Sequence, residues 1–413
     1  MPETIFSPAD ILLPDYPVND ARWRAWAAIA CDQFTSEPAY WKEAETCAKG
    51  QMTTLSLFLP EAYLGTEKEK SHGAGIPAAM AAAEKTLRKY ENAMIYLERT
   101  LPDGKIRRGL IGKIDLEAYD YAKGSSSPVR ATEATVLERI PPRQAIRAAA
   151  SLELPHIMIL IDDKTGDVIA SATAARSASP CLYDFPLMQG GGSAVGYLLT
   201  GEPLAGMLGK IAAYEKRSAG GVVYAMGDGN HSLAAAKAHY EALKASLGDG
   251  ALNHPARWAL CEIVALQDEA LVFEPIYRVV LGADRDDFLA AFRAVTAPAK
   301  GGAGQTVTAV FGGREETRAF REPDHALTVG TLQNFIDRYT AAHPSVKCDY
   351  IHDEASLRTL AAADGAVGFL LDGMAKEELF PYVAANGTLP RKTFSMGEAR
   401  SKRYYLEARK ITR

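Results

Sequence analysis

The chain is poor in cysteine and has neither a long apolar run nor an excess of positive charge. Its five cysteines (Cys31, Cys47, Cys181, Cys261, Cys348) are odd in number and widely scattered. Without a close Cys-x-x-Cys pair they suit neither a zinc knuckle nor a disulfide framework, so a reducing cytoplasm is the expected compartment. No apolar stretch approaches the roughly 18 residues that a membrane span requires. The first twenty residues hold acids and prolines where a secretion signal would have a basic and then an apolar region. A net charge of −5 argues against a broad nucleic-acid surface. The histidines include no His-x-x-x-His metal pair, and seven of the eight (all but His231) are read as structural or solvated.

What is present is an ordinary globular composition, 47% hydrophobic and 23% charged over 413 residues, enough for two lobes. Strand-like and helical stretches interleave without a fixed period, which points to an α+β fold with mixed sheets. The expected division is 1–255, an N-terminal α+β lobe, and 256–413, a smaller C-terminal α/β lobe. Within the first, a helix is expected over Ile76 to Tyr90, and paired strands over Ala93 to Thr100 and Arg107 to Asp115 around Pro102-Asp103-Gly104. A buried strand is expected at His156 to Ile161, followed by a hairpin turn at Asp162-Asp163, and a helix near Glu202 to Arg217. In the second lobe the same reasoning gives a helix over Thr331 to Ala342, a strand over Gly365 to Leu371 and a basic strand over Tyr404 to Ile411. Pro298 to Gly304 reads as an insertion. Arg139, Arg143 and Arg147, and the basic tail from Lys402 to Arg413, are either solvated faces or anion collectors.

The segment richest in chemistry runs from Val222 to Leu247. An apolar strand, Val222 to Met226, breaks at Gly227-Asp228-Gly229-Asn230-His231-Ser232 and restarts as a helix whose Leu233, Ala236, Tyr240, Leu243 and Leu247 recur at helical spacing. Two glycines permit a tight turn and close approach by a ligand, while helix amides and the positive dipole end face whatever lies there. Ser232 or Asn230 is the expected N-cap. No lysine is present to make a Walker A loop, and Ser232 stands where a dinucleotide fingerprint needs its third glycine. A plain strand-to-helix turn remains the alternative, but such a turn needs no histidine.

Several segments together carry a family resemblance: Asp32 within Ile29-Ala30-Cys31-Asp32-Gln33, Arg130-Ala131-Thr132-Glu133-Ala134-Thr135, the Gly-Asp-Gly-Asn-His loop, Phe273-Glu274-Pro275-Ile276-Tyr277-Arg278 and Leu389-Pro390-Arg391-Lys392-Thr393-Phe394. In content and order they resemble the family catalogued as domain of unknown function 1015, over nearly the whole chain. The loop alone, about 15 residues, is similar to the phosphate-holding strand-turn-helix of the ParB and sulfiredoxin superfamily, which includes kinases of free serine. Two departures stand out: Ser232 replaces the arginine that usually follows the histidine, and Tyr277 replaces a histidine before Arg278.

The resemblance implies ATP or ADP, with Mg²⁺, as the cofactor. His231, counted with Glu133 and Asp228 among the catalytic residues, would cradle phosphate with the amides of Gly229 and Asn230. Gly227 and Ser232 would complete the binding loop, and Arg130, Arg278 and Lys392 are the available substitutes for the missing loop arginine. Asp228 would hold the metal or orient His231, and Asp32 has an even claim to line the pocket. Glu133 is either a solvated edge acid or a general base, flanked by Arg130 and oriented by Thr132. Cys31 reads as a small core residue. The leading expectation is a small-molecule phosphotransferase, a kinase of a hydroxylated metabolite such as free serine. A non-catalytic nucleotide or metabolite sensor, or a phosphate-ester hydrolase, stands as the alternative. A small-molecule substrate is the expected partner, without nucleic acid or membrane, and a homodimer is left open.

Overall fold

Two long strands, Leu87–Thr100 and Ile106–Asp115, continuously buried over their central residues, build the centre of the larger sheet. Successive side chains on a strand point to opposite faces, so Ile95, Leu97 and Ile111 enter one core while Met94, Tyr96 and Leu110 enter another. The computed structural model describes residues 4–122, 124–133, 140–299 and 304–413. Among these, the chain is mixed α/β with several sheets and eleven helices. No described helix is long and apolar enough to cross a membrane.

The chain divides into two compact units, Met1–Leu271 with Phe380–Thr388 and Glu398–Arg413, and Val272–Leu379 with Leu389–Gly397. The larger unit holds an eleven-stranded mixed sheet. Its middle runs Ile106–Asp115, Trp258–Ala265, Met158–Ile161, Tyr224–Asp228, Val129–Arg130. Trp258–Ala265 lies inside this sheet, antiparallel to Ile106–Asp115 and parallel to Met158–Ile161. A single cut after residue 255 would therefore pass through the contacts that hold this strand. Helices Gly201–Arg217 and Asn230–Leu247 supply one core with Tyr214, Leu233 and Tyr240, and the opposite core gathers Trp23, Trp26 and Trp41. The smaller unit has a six-stranded antiparallel sheet packed around Phe288, Phe292, Phe335 and Phe369.

The helices Gly201–Arg217 and Thr328–Ala342 and the strand Ala366–Leu370 stand where apolar periodicity puts them. Three local expectations change. The helix expected to reach Tyr90 is Glu67–Glu84, because Leu87 onward is drawn into the long strand, where tertiary pairing overrides alanine-rich propensity. Asp162-Asp163 is no hairpin: Asp163 Oδ2 accepts from the Val168 amide at 2.9 Å and opens the helix Asp167–Ala175. The basic tail forms two short strands, Tyr404–Tyr405 against Ala28–Ile29 and Arg409–Lys410 against Leu152–Glu153, both in the larger unit. Arg139, Ala134 and Thr135, and most of the expected insertion (300–303), lie outside the described residues.

Candidate functional site

The strand ahead of the glycine turn is Tyr224–Asp228, two residues later than the apolar run suggests. It lies inside the sheet, parallel to Val129–Arg130 on one side and antiparallel to Met158–Ile161 on the other. The register slips between Met226 and Asp228, so Gly227 sits in a bulge, where a Cβ would stand 3.1 Å from the Met158 carbonyl oxygen. Gly229 has φ +79° and is packed so that a Cβ would lie 3.1 Å from Ile157 Cα. The left-handed backbone of the turn thus favours glycine at 229, and the bulge leaves little room for a Cβ at 227.

The helix Asn230–Leu247 begins at once, with Gly229 as its N-cap and no side-chain cap, so neither Ser232 nor Asn230 caps it as expected. The N-cap is a glycine and has no side chain to accept from the helix amides, and the first helical bond is Leu233 N to Gly229 O at 3.0 Å. The amides of Asn230, His231 and Ser232 stand ahead of that bond. Asn230 Oδ1 is buried and lacks a hydrogen-bond partner.

Antiparallel pairing puts the residues just before Met158 next to the end of Tyr224–Asp228, and His156 arrives there with Ile157. His156 is buried, its Nδ1 2.9 Å from the Tyr405 hydroxyl and its Nε2 3.8 Å from Asp32 Oδ2. Asp32 follows the strand Ala28–Ile29, which pairs with Tyr404–Tyr405, and the Ala30 amide donates to the Arg403 carbonyl at 3.1 Å. The same pairing delivers Lys402, whose Nζ is 3.5 Å from Asp228 Oδ2. Burial disfavours the Asp32 carboxylate, but the charges of His156 and Lys402 and the Gln33 amide outweigh it and lower its pKa. Asp32, His156, Asp228 and Lys402, from four separate segments, therefore form one cluster of ionisable side chains at the turn.

On the other flank, Thr132 Oγ1 donates to the Met226 carbonyl at 2.8 Å. That bond fixes the segment leading to Glu133 beside the end of the same strand. Arg130 has a local partner, its Nε donating to the Ser127 carbonyl at 2.7 Å, and it lines a small cavity with Asp120, Ser125 and Thr388. Arg278 and Lys392 belong to the smaller unit. Arg278 is fully buried there, donating to Gln333 Oε1 at 3.2 Å and the Arg391 carbonyl at 3.0 Å, which is a structural use of a guanidinium. Lys392 is exposed and has φ +55°.

The expected metal role does not fit Asp228: its Oδ1 accepts from the Gly229 amide at 2.8 Å, and its Oδ2 faces an ammonium. Among the described residues no three acidic, histidine or cysteine side chains group as a metal site. Burial pushes the Cys31 thiol up to about 12, with Asp32 adding to the effect, which matches an inert core residue. Lys402 and His156 escaped the sequence reading. Lys402 sat in a basic tail whose place in space the sequence leaves open, and a lone histidine heading a buried strand resembles any core histidine. The arginines of helix Ile140–Ala148 are paired, Arg143 with Glu61 and Arg147 with Glu153.

Taken together, the fold and this cluster define a two-unit mixed α/β protein whose larger unit presents a strand, a glycine turn and a helix N-terminus beside a lysine and a buried histidine. The chain belongs to the family described as Protein of unknown function (DUF1015), whose model matches residues 14–346. No curated protein matches. Solved structures similar to it include a conserved hypothetical protein from Pyrococcus furiosus, 10% identical, covering 73% of this chain and 94% of that one, with a TM-score of 0.35. A free serine kinase variant in complex with AMP is 10% identical, with coverages of 75% and 92% and a TM-score of 0.39. SbnI with a C-terminal truncation, from Staphylococcus aureus, is 9% identical, with coverages of 73% and 87% and a TM-score of 0.37.

Proposed function

We propose that this protein is a small-molecule phosphotransferase that moves a phosphoryl group from ATP or ADP to a hydroxyl of a small metabolite such as free serine. The observation that carries this reading is the juxtaposition of Lys402 with Asp228 at a glycine turn that opens a helix. Phosphoryl transfer depends on positioning and on positive charge around the transferred group. Helix amides at Asn230 to Ser232, His231 and the Lys402 ammonium supply these, and Lys402 takes the place of the missing loop arginine. The turn then serves as the ParB/sulfiredoxin-like unit that its sequence suggests.

Two carboxylates serve different ends. Asp32 is held ionised by its cationic neighbours, so it orients and balances charge and is a weak proton acceptor. Glu133 is the base. It takes the proton of the acceptor hydroxyl as that oxygen bonds to phosphorus, while the bond to the departing nucleotide oxygen breaks. Glu133→Gln keeps size and hydrogen bonding but cannot accept the proton, so turnover falls roughly 10²- to 10⁴-fold while nucleotide affinity changes by less than about threefold. The assay follows transfer from labelled ATP or ADP into a pool of hydroxylated metabolites. Undiminished turnover in the variant removes Glu133 from the chemistry. Nucleotide binding by the parent without any phosphorylated product would make the protein a sensor, the reading favoured by the engagement of both Asp228 oxygens.

A further inference from the structure

On the face of the larger sheet opposite the helices Gly201–Arg217 and Asn230–Leu247 lies a closed polar layer. Arg99 and Arg107 stand directly opposite each other on adjacent strands, an arrangement that repels unless something intervenes. Arg403 joins them from the C-terminal segment, and among the described residues two carboxylates, Glu262 and Glu407, share the layer. Arg99, Arg107 and Arg403 are 3–5% exposed, and both glutamates are 0% exposed. Arg403 donates to Glu262 Oε2 at 2.7 Å and to Glu407 Oε2 at 2.6 Å, and the Tyr183 hydroxyl donates to Glu407 Oε1 at 2.5 Å. Three guanidiniums against two carboxylates leave one positive charge uncompensated in a buried layer, which is costly.

The uncompensated charge has a place to be met. Arg99 Nε, Arg107 Nε and Arg107 Nη2 are buried donors without a hydrogen-bond partner. Glu262 Oε1 also lacks one, and stands 3.5 Å from Arg107 Nε. If those two close on each other, the remaining unmet groups are all donors. Arg99, Arg107, Glu262, Arg403 and Tyr404 line the polar side of a void of about 10 Å³ whose other side is apolar, room for one water-sized species. The sheet makes space for the layer: at Gly109 a Cβ would stand 2.3 Å from Glu262 Oε1, and at Gly196 it would stand 2.2 Å from the Tyr183 ring.

We infer that this void is a binding site for one monovalent inorganic anion of the halide class, held by Arg99 and Arg107. The site clamps the segment that carries Lys402. Arg99 Nη2 donates to the Arg400 carbonyl at 3.1 Å, Arg107 Nη1 donates to the Ser401 carbonyl at 3.1 Å, and Arg403 is tied into the layer on the far side. An anion between Arg99 and Arg107 relieves their repulsion and fixes both donors on those carbonyls. The inference stands whether or not the protein transfers phosphate.

The test compares thermal unfolding of the full chain in sodium bromide and in sodium gluconate at matched ionic strength, and looks for bromide in crystals by anomalous scattering. At tenfold excess over its Kd, bromide should raise the midpoint by roughly 2–4 °C. Amide exchange at residues 400–403 should slow in parallel, and an anomalous peak should lie between Arg99 Nε and Arg107 Nη2. Arg107→Met should abolish the difference between the two salts. Should that variant not fold, the parent's midpoints and crystal decide alone. Equal midpoints, a peak only elsewhere, or a peak in the crystal without any response in solution would overturn the site and leave a trapped water in its place.

Discussion

Replacing Lys402 by methionine separates binding from folding more cleanly than any other change at the turn. Lys402 Nζ and Asp228 Oδ2 are 3.5 Å apart, with the two side chains 15% and 20% exposed. No hydrogen bond joins them, and a partly covered pair of this kind contributes at most about 1 kcal/mol to folding. A phosphate oxygen brought to the same ammonium gains a charge-assisted bond of about 1.5–3 kcal/mol. Asp228, left without its cation, repels the ligand and adds in the same direction. Lys402→Met should therefore lower affinity for ADP and for pyrophosphate roughly 10- to 100-fold while moving the urea midpoint little. Lys402→Arg, which keeps the charge, should recover most of the loss. Isothermal titration calorimetry reads the affinities, and rising salt should weaken the parent more than the methionine variant. If affinity stays within about threefold while more than about 2 kcal/mol of stability disappears, Lys402 is a structural tie and the site fails.

Three further outcomes follow from the same geometry. His231→Ala should leave melting nearly unchanged yet weaken anion binding at least about tenfold, about 1.4 kcal/mol, and equal binding of every nucleotide and phosphate tried would reduce the loop to a turn. Gly229→Ala must place a Cβ 3.1 Å from Ile157 Cα at φ +79°, so a loss of about 2–3 kcal/mol is expected in urea unfolding, and a loss under about 0.5 kcal/mol would contradict the strained turn. Burial, aided by the charges of Arg147 and His254, lowers His239 to about 4. An unfolded histidine titrates near 6.5, so the unfolded chain binds the extra proton between those values. Stability should be fully present above about pH 6.5 and decline as the pH falls towards 4, a slope that His239→Gln flattens; an NMR titration placing His239 near 6.5 would refute it.

Elements with strong local signals were legible in the sequence. The helices Gly201–Arg217 and Thr328–Ala342 and the paired strands flanking Pro102-Asp103-Gly104 follow from apolar period and turn chemistry, which neighbours within a few residues determine. The helix Glu67–Glu84 was over-extended because propensity cannot register that Leu87 to Tyr90 pair with Ala9–Pro14, some eighty residues away in sequence. The same blindness affects the site. The glycine turn is local and stood out, whereas Lys402 and His156 reach it only through strand pairing.

By itself the sequence determined the family, the mixed helices and strands, and the succession of strand, glycine turn and helix at Tyr224 to Leu247. Each depends on residues close together along the chain or on ordered motifs. The tertiary structure alone decided which charges meet that turn. Pairing of Ala28–Ile29 with Tyr404–Tyr405 joins residues nearly four hundred positions apart and sets Asp32 and Lys402 side by side. Antiparallel pairing of Met158–Ile161 with Tyr224–Asp228 brings His156 to the same place. It also decided against Arg278, because a guanidinium closed over by its own unit has its donors fixed on Gln333 and on the carbonyls of Ile276 and Arg391. Side-chain chemistry is written in sequence, but the partner that neutralises a charge is fixed by whichever distant strand folding brings within a few ångströms.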